Sequence, residues 1–303
     1  MTATSSVERP TPKPPARQER IPIAIAYMVS AGAIFSFSSA ISKWLVEFYP
    51  VGEVLFTRAF TSLLLFAAFV IPTAGFAVFR TRRPGAHLLR GVSQSGSQTL
   101  LLIAFSLMPL ASATAINFSA PLFATLASLY FLKEPVGAAR WTALAVGFLG
   151  VLIITQPGAG TFQIGALFAL ANAVLFGTVT AGVRGMTSTE SSETLTMYQL
   201  IFLSSVFAMS LPFAFTVPTW KHAPLIFING ATNLLGQYWW TRAIHLAPTS
   251  AVVPFQYLSL LWAMLLGFAI WGDVPTAALL FGSAIVVGSG LFLLWRETRK
   301  RPV

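Results

Sequence analysis

Asn229, Asn233, Gln237 and Trp240 recur at i, i+4, i+8 and i+11, a spacing that puts four side chains on one face of a helix. Gln94 and Gln98 stand in the same relation earlier in the chain. A shift of 139 residues carries Gln94 onto Asn233, Gln98 onto Gln237 and Asn117 onto Gln256. Amides do not ionise near neutral pH, so the chemistry they offer is hydrogen bonding without catalysis. A buried amide with no partner costs a few kcal/mol in an apolar medium, so such faces turn away from hydrocarbon. Two uses compete for Gln94, Gln98, Asn117, Asn233, Gln237 and Gln256. They line a shared cavity that binds a solute, or they tie helices together at about 0.6 kcal/mol each.

Aromatic side chains accompany these amides. Tyr257 and Trp262 fall near the middle of one apolar run, and Tyr238 and Trp239 flank the amide stripe. Rings at that depth could stack on a planar or apolar part of a solute, although packing and lipid contact are the commoner uses. Trp44, Trp141, Trp220, Trp271 and Trp295 stand near the ends of apolar runs, where indoles anchor a helix at a membrane interface.

Titratable groups are few and peripheral. The carboxylates are Glu8, Glu19, Glu47, Glu53, Glu134, Glu190, Glu193, Asp273 and Glu297, all in tails or near the ends of apolar runs. His87, His222 and His245 are placed alike. Neither a hydrolytic site nor a proton relay at depth is visible, and no clustering of ligands points to a metal or another cofactor. With no cysteine, thiol chemistry and disulfides are excluded. Arg58 is the cation set deepest in an apolar run, and pairing with Glu53 or Glu47 competes with capture of a substrate carboxylate. Lys43 is expected to pair with Glu47 at i+4. Arg58, Glu53, Lys43 and Glu47 thus form a candidate gating or ion-pair group.

The elements that must position these groups are apolar helices. Of 303 residues 55% are hydrophobic and 9% charged, with a mean hydropathy of +0.74. A soluble domain carries about 25% charged residues. Residues 91–132 and 141–183 contain no charged residue or histidine, and each stretch is long enough for two crossings of about 20 residues. Breaks at Pro, Gly and charge predict ten spans near 22–46, 52–75, 87–107, 110–132, 137–155, 163–186, 194–215, 223–244, 248–271 and 275–295. Pro109, Pro121, Pro248 and Pro254 interrupt the fourth and ninth or their entrances, as bent helices require. Residues 1–21, polar and Pro-rich, read as a disordered tail, and 298–303 as a basic one.

The net charge of +10 does not indicate nucleic acid, because Lys and Arg sit at span ends and in tails. With the N-terminus inside, sixteen of the 19 fall on the inner side. Both termini are then cytoplasmic. The chain also repeats itself. Residues 104–118 align with 243–257, and 34–43 with 175–184. LYFLKEP at 129–135 and FAIWGDV at 268–274 each end an apolar run on one acidic residue, Glu134 and Asp273. The two units are 22–158 and 163–297, of five helices each, so the second enters the membrane inverted. Inverted repeats place a transport site near the midplane, between the halves.

Residues 109–158 (PLASATAINFSAPLFATLASLYFLKEPVGAARWTALAVGFLGVLIITQPG) and 247–275 (APTSAVVPFQYLSLLWAMLLGFAIWGDVP) resemble the EamA family of the drug/metabolite transporter superfamily. The resemblance runs from about residue 22 to 297 and is strongest toward the amino-acid-exporting branch. It implies an all-α polytopic membrane protein with a central cavity lined by helices 1, 3, 4, 6, 8 and 9. It further implies export of aromatic and other neutral amino acids, or of similar small metabolites, across a bacterial inner membrane by alternating access. Import of a cofactor-like metabolite such as riboflavin is the alternative, and a membrane-embedded enzyme a remote one. The expected partners are a small-molecule substrate and membrane lipid, with no nucleic acid, no cofactor and no catalytic residue. A monomer or weak homodimer is expected.

Overall fold

The computed structural model describes residues 20–120, 122–123, 138–156, 164–186, 189–247, 252 and 255–299. Most of both tails lies outside the described residues. So do Lys133, the acidic stop at Glu134, and Pro121, Pro248 and Pro254.

The described residues form α1 (Ile21–Leu45), α2 (Val51–Ala74), α3 (Pro84–Leu107), α4 (Leu110–Asn117) and α5 (Ala138–Thr155). The chain continues with α6 (Ile164–Met186), α7 (Ser192–Ala208), α8 (Ala223–Leu246), α9 (Leu258–Trp271) and α10 (Ala277–Arg299). A 3₁₀ turn, Gly75–Phe79, follows α2, and among the described residues there is no strand. Pro stands in the first turn of α1, α3 and α8, where its missing N–H is no loss. Ser191 caps α7 by accepting the Thr194 N–H at 3.1 Å.

Two ends differ from expectation, and a third falls where expected but is closed by a different residue. α7 stops at Ala208 rather than near 215, because Pro212 disfavours helical geometry at Leu211 and lacks the N–H to continue. α4 runs to Asn117, with a turn at 118–119, and most of its expected remainder lies outside the described residues. α9 ends on Gly272 in the left-handed region (φ 71°), which lets the Asp273 N–H reach Gly267 O at 3.2 Å. Glycine, not the acidic residue after it, closes that run.

Packing joins the two halves of the chain. The closest partnerships are α1 with α8, α3 with α6, and α5 with α10. Next come α2 with α7 and α8, α3 with α7, α1 with α9, and α4 with α6 and α9. Moving each label by five places sends α1·α8 to α6·α3, α2·α8 to α7·α3 and α1·α9 to α6·α4, while α2·α7 and α5·α10 map onto themselves. Small residues let backbones meet. A Cβ on Gly150 would come within 2.8 Å of Gly282 O, and one on Gly282 within 2.8 Å of Gly150 O, so α5 and α10 cross on bare backbone.

Small and polar side chains, among them Ser38, Ser42, Ser62, Ser97 and Asn172, share the inside with a buried apolar core. Large apolar ones cover the outside, including Phe69, Phe76, Leu89 and Phe281. Ile21–Leu45 and Val51–Phe79 are long and apolar enough to cross a bilayer by length and composition.

Candidate functional site

Two arginines organise the polar interior, one toward each end of the bundle. Arg58 lies in the second turn of α2 and reaches across to α1 and α3. Its Nη2 donates to Gln98 Oε1 at 2.6 Å and its Nη1 to Ser42 Oγ at 3.3 Å. The Ser42 hydroxyl donates in turn to Asn229 Oδ1 on α8 at 3.1 Å, and Ser38 Oγ donates to the same oxygen at 2.8 Å. Asn229 is fully buried, and its Nδ2 has no partner. One helical turn along α8, Asn233 Nδ2 donates to Ser62 Oγ at 3.0 Å. Ser62 Oγ lies 2.7 Å from Gly230 O and 2.8 Å from Arg58 O, either of which can take its proton.

Arg90, two turns into α3, is sealed at 6% exposure. Its Nη1 donates to Leu195 O at 3.1 Å and its Nη2 to Gln199 Oε1 on α7. The shift of 139 carries Arg90 onto Asn229, and a shift of 141 carries Arg58 onto Gln199. Guanidinium and amide thus occupy matched positions with the roles exchanged. Glycine follows the same scheme: a Cβ on Gly91 would meet Phe202, and one on Gly230 would meet Thr61. The carboxylates are comparable. Glu53, at the start of α2, accepts the Thr216 N–H of the segment after α7 at 2.8 Å. Glu190, just before α7, accepts Thr81 Oγ1 at 2.9 Å and Arg82 N–H at 3.1 Å from the segment after α2.

The six amides fall into two kinds. Gln98 is held by Arg58 and Asn233 by Ser62. Asn117 Oδ1 accepts Asn172 Nδ2 at 2.6 Å, and Asn172 Oδ1 accepts Ser97 Oγ at 2.6 Å, a chain across α4, α6 and α3. The side-chain amides of Gln94, Gln237 and Gln256 make no hydrogen bond among the described residues, yet none is among the fully enclosed unpartnered atoms. Each repeat-related pair therefore has one tied member and one open member: Gln98 and Gln237, Asn233 and Gln94, Asn117 and Gln256.

The ion pairs expected at Lys43 and Arg58 do not form. α1 ends at Leu45, which puts Glu47 in a turn beyond the helix and removes the i, i+4 geometry. Lys43 Nζ donates instead to Phe105 O at 2.6 Å and Met108 O at 2.8 Å, at the C-terminal end of α3 where carbonyls lack helical partners. It also lies 5.2 Å over the Trp271 ring. Glu47 accepts Trp271 Nε1 at 3.2 Å. Arg58 is bonded to neutral oxygens only.

The aromatic candidates separate. Tyr257 is buried with its ring 4.9 Å from that of Phe118, and its hydroxyl, pressed on Gly290, has no partner. Tyr238 OH donates to Glu193 Oε1 at 3.2 Å, beside the Arg242–Glu193 ion pair at 3.7 Å. The Trp239 ring packs 6.5 Å from Tyr27. Trp262 stands on the outer surface, 41% exposed, away from the amides.

Sequence reasoning passed over Asn172, Ser62 and Ser97, and counted Arg90 only as a loop charge. Asn172 had a signal, as an amide well inside a 43-residue run without charge. Arg90 had a weaker one, since the shift relates it to the amide stripe.

The EamA-like transporter family matches the chain twice, over residues 22–156 and 163–295. A riboflavin transporter of Rhizobium johnstonii is 30% identical, over 93% of this chain and 94% of its own length. An S-adenosylmethionine uptake transporter of Rickettsia bellii is 27% identical, over 91% of this chain and 95% of its own. A solved crystal structure superposes with a TM-score of 0.63 at 20% identity, covering 91% of this chain and 99% of that one, a likeness of fold.

Proposed function

The chain belongs to the EamA-like transporter family of membrane proteins, and from that premise we propose that it takes up a cofactor-like metabolite across the bacterial inner membrane. Riboflavin and S-adenosylmethionine, named for its relatives, both carry a planar heterocycle beside flexible polar groups. The two units, 22–158 and 163–297, are inverted relative to one another, with both termini cytoplasmic. They rock about a solute held between them. The observation that carries this reading is the set of amide pairs, each with one tied and one open member. In a carrier whose two equivalent halves rock about a fixed site, such pairs let interior donors exchange partners between states. The exchange-invariant helix pairing and the sixteen inner Lys and Arg support the inversion and the orientation.

Export of amino acids, the leading expectation from sequence, is the second reading, favoured by a half-buried Arg58 that faces no carboxylate. Counterflow in proteoliposomes with labelled riboflavin, S-adenosylmethionine and tryptophan separates the two. Saturable exchange of a heterocyclic cofactor, and none of tryptophan, supports uptake of a cofactor-like solute. Exchange of tryptophan alone supports the amino-acid reading. Movement that fails to saturate with any of them would sink the carrier.

A further inference from the structure

We infer that Arg58, Gln98 and Asn229 form a carboxylate-binding station, so that the cargo carries a carboxylate beside its neutral part. The inference rests on the transport reading above and deepens it. A guanidinium has five N–H donors, and two of the Arg58 nitrogens spend theirs on Gln98 Oε1 and Ser42 Oγ, both neutral acceptors. An arginine enclosed by helices without an anion is expensive, and arginine in such places pairs with an acid or faces an aqueous path. Arg58 is half-buried as a residue rather than sealed.

A second observation points to the same place. Asn229 is fully buried, accepts two serine hydroxyls through Oδ1, and leaves Nδ2 without an acceptor. Ser42 joins it to the guanidinium. Cation and unspent amide N–H₂ thus flank one hydroxyl, a donor-rich cluster with no negative charge. Matched position by position, the Arg90 end differs in exposure rather than in bonding: Arg90 is 6% exposed, its terminal nitrogens likewise donate to neutral oxygens, and its Nε and Gln199 Nε2 are enclosed without partners. A carboxylate at Arg58 would accept charge-assisted bonds, the strong kind, and would supply the missing acceptor for Asn229. Among the relatives' solutes this favours one like S-adenosylmethionine, whose amino-acid end carries a carboxylate beside its ammonium, over uncharged riboflavin.

The test compares probes that differ in that one group, binding to the full chain in lipid nanodiscs by equilibrium dialysis. They are S-adenosylmethionine against its decarboxylated form, and tryptophan against tryptophan amide. At least one acid is expected to bind roughly ten- to a hundredfold tighter than its counterpart, the size of one or two charge-assisted bonds. Arg58→Gln should bring the ratio to about one, and Arg58→Lys should restore part of it. Gln98→Glu keeps the fold honest. It gives Arg58 an internal anion, so it should raise the thermal midpoint of the unliganded protein while abolishing the preference for the acid. Equal binding of acid and counterpart, binding of neither, or a preference that survives Arg58→Gln would each overturn the station. Counterflow separates the two readings. Saturable exchange of riboflavin with no acid preference removes the station and leaves the carrier. Acid preference with no exchange of any solute removes the carrier and leaves the station.

Discussion

The Arg58 and Arg90 ends were built from one plan and finished differently. At the Arg90 end the guanidinium comes from α3, and the amide that receives it, Gln199, from α7. At the Arg58 end the guanidinium comes from α2, and the matched position on α8 holds Asn229, reached only through Ser42. The Arg90 end is sealed, with Arg90 Nε and Gln199 Nε2 enclosed there without partners. The Arg58 end is only half-buried. Symmetric architecture therefore does not mean symmetric chemistry: the helix pairings survive the exchange of halves, while the side chains along them leave one arginine sealed and the other half-buried.

The sharpest way to break this contrast is to remove each arginine. Arg90→Ala strands Gln199 Oε1 and Leu195 O in an enclosed site, and should cost about 2–4 kcal/mol. Arg58→Ala releases two acceptors at a partly open site and removes a half-buried cation, so it should cost about 1 kcal/mol or less. Thermal unfolding of the purified variants gives the order directly. Equal losses would mean that both ends are structural.

Glycine sharpens the comparison at somewhat smaller effect. Gly230 and Gly91 are repeat-related, yet a Cβ on Gly230 would meet Arg58 O at 3.2 Å as well as Thr61, whereas the three atoms nearest to one on Gly91 all belong to the Phe202 side chain. Backbone gives way less readily than a ring. Gly230→Ala should therefore cost more than Gly91→Ala, both within about 1–3 kcal/mol. The reverse order in thermal midpoints would place the rigid crossing at the other end.

The amide pairs predict a division between stability and transport. Asn117→Ala removes the acceptor of Asn172 Nδ2, deep in the α4–α6 seam, and should destabilise by about 1–2 kcal/mol. Gln256→Ala removes an amide with no partner, and should leave stability within about 0.5 kcal/mol while raising the KM for counterflow. If Gln256→Ala destabilises and leaves KM unchanged, that amide is helix glue.

Much of the fold was legible because a bilayer-length helix leaves a plain trace. Uncharged runs, proline entrances and the distribution of Lys and Arg need no knowledge of packing. Spacing also marked which faces carry amides. What those amides do could not be read, because a tied amide and an open one have the same periodicity. Asn233 meets Ser62 through a pairing of α2 with α8 that no local pattern reveals. Lys43 shows the same limit from another side. Its i+4 partner was evident, but the end of α1 at Leu45 turned Glu47 away and left the carbonyls of α3 nearer. Trp262 at mid-helix was ambiguous between lipid and interior until helix packing placed it outside.

The smallest expected effect concerns the two carboxylates, and it bears on energy coupling. Glu53 and Arg58 are five residues apart on α2, which at 3.6 residues per turn sets their side chains about 140° apart around the axis. Glu53 is 2% exposed, with one oxygen on the Thr216 N–H and the other enclosed without a partner. It fastens a connecting segment, as Glu190 does at the other end, and faces away from the arginine. A carboxylate that couples protons to transport must meet water on each side in turn and sense the solute, and neither condition suits a side chain held by a backbone N–H at a helix start. Glu53→Gln keeps an oxygen to accept from Thr216, so its cost should stay below about 1 kcal/mol. Counterflow in liposomes without a pH gradient should proceed at the same rate in wild type and Glu53→Gln, with or without a protonophore. Uphill accumulation under an imposed pH gradient, lost in Glu53→Gln and kept in Glu190→Gln, would instead make the Arg58 end the site of both recognition and coupling.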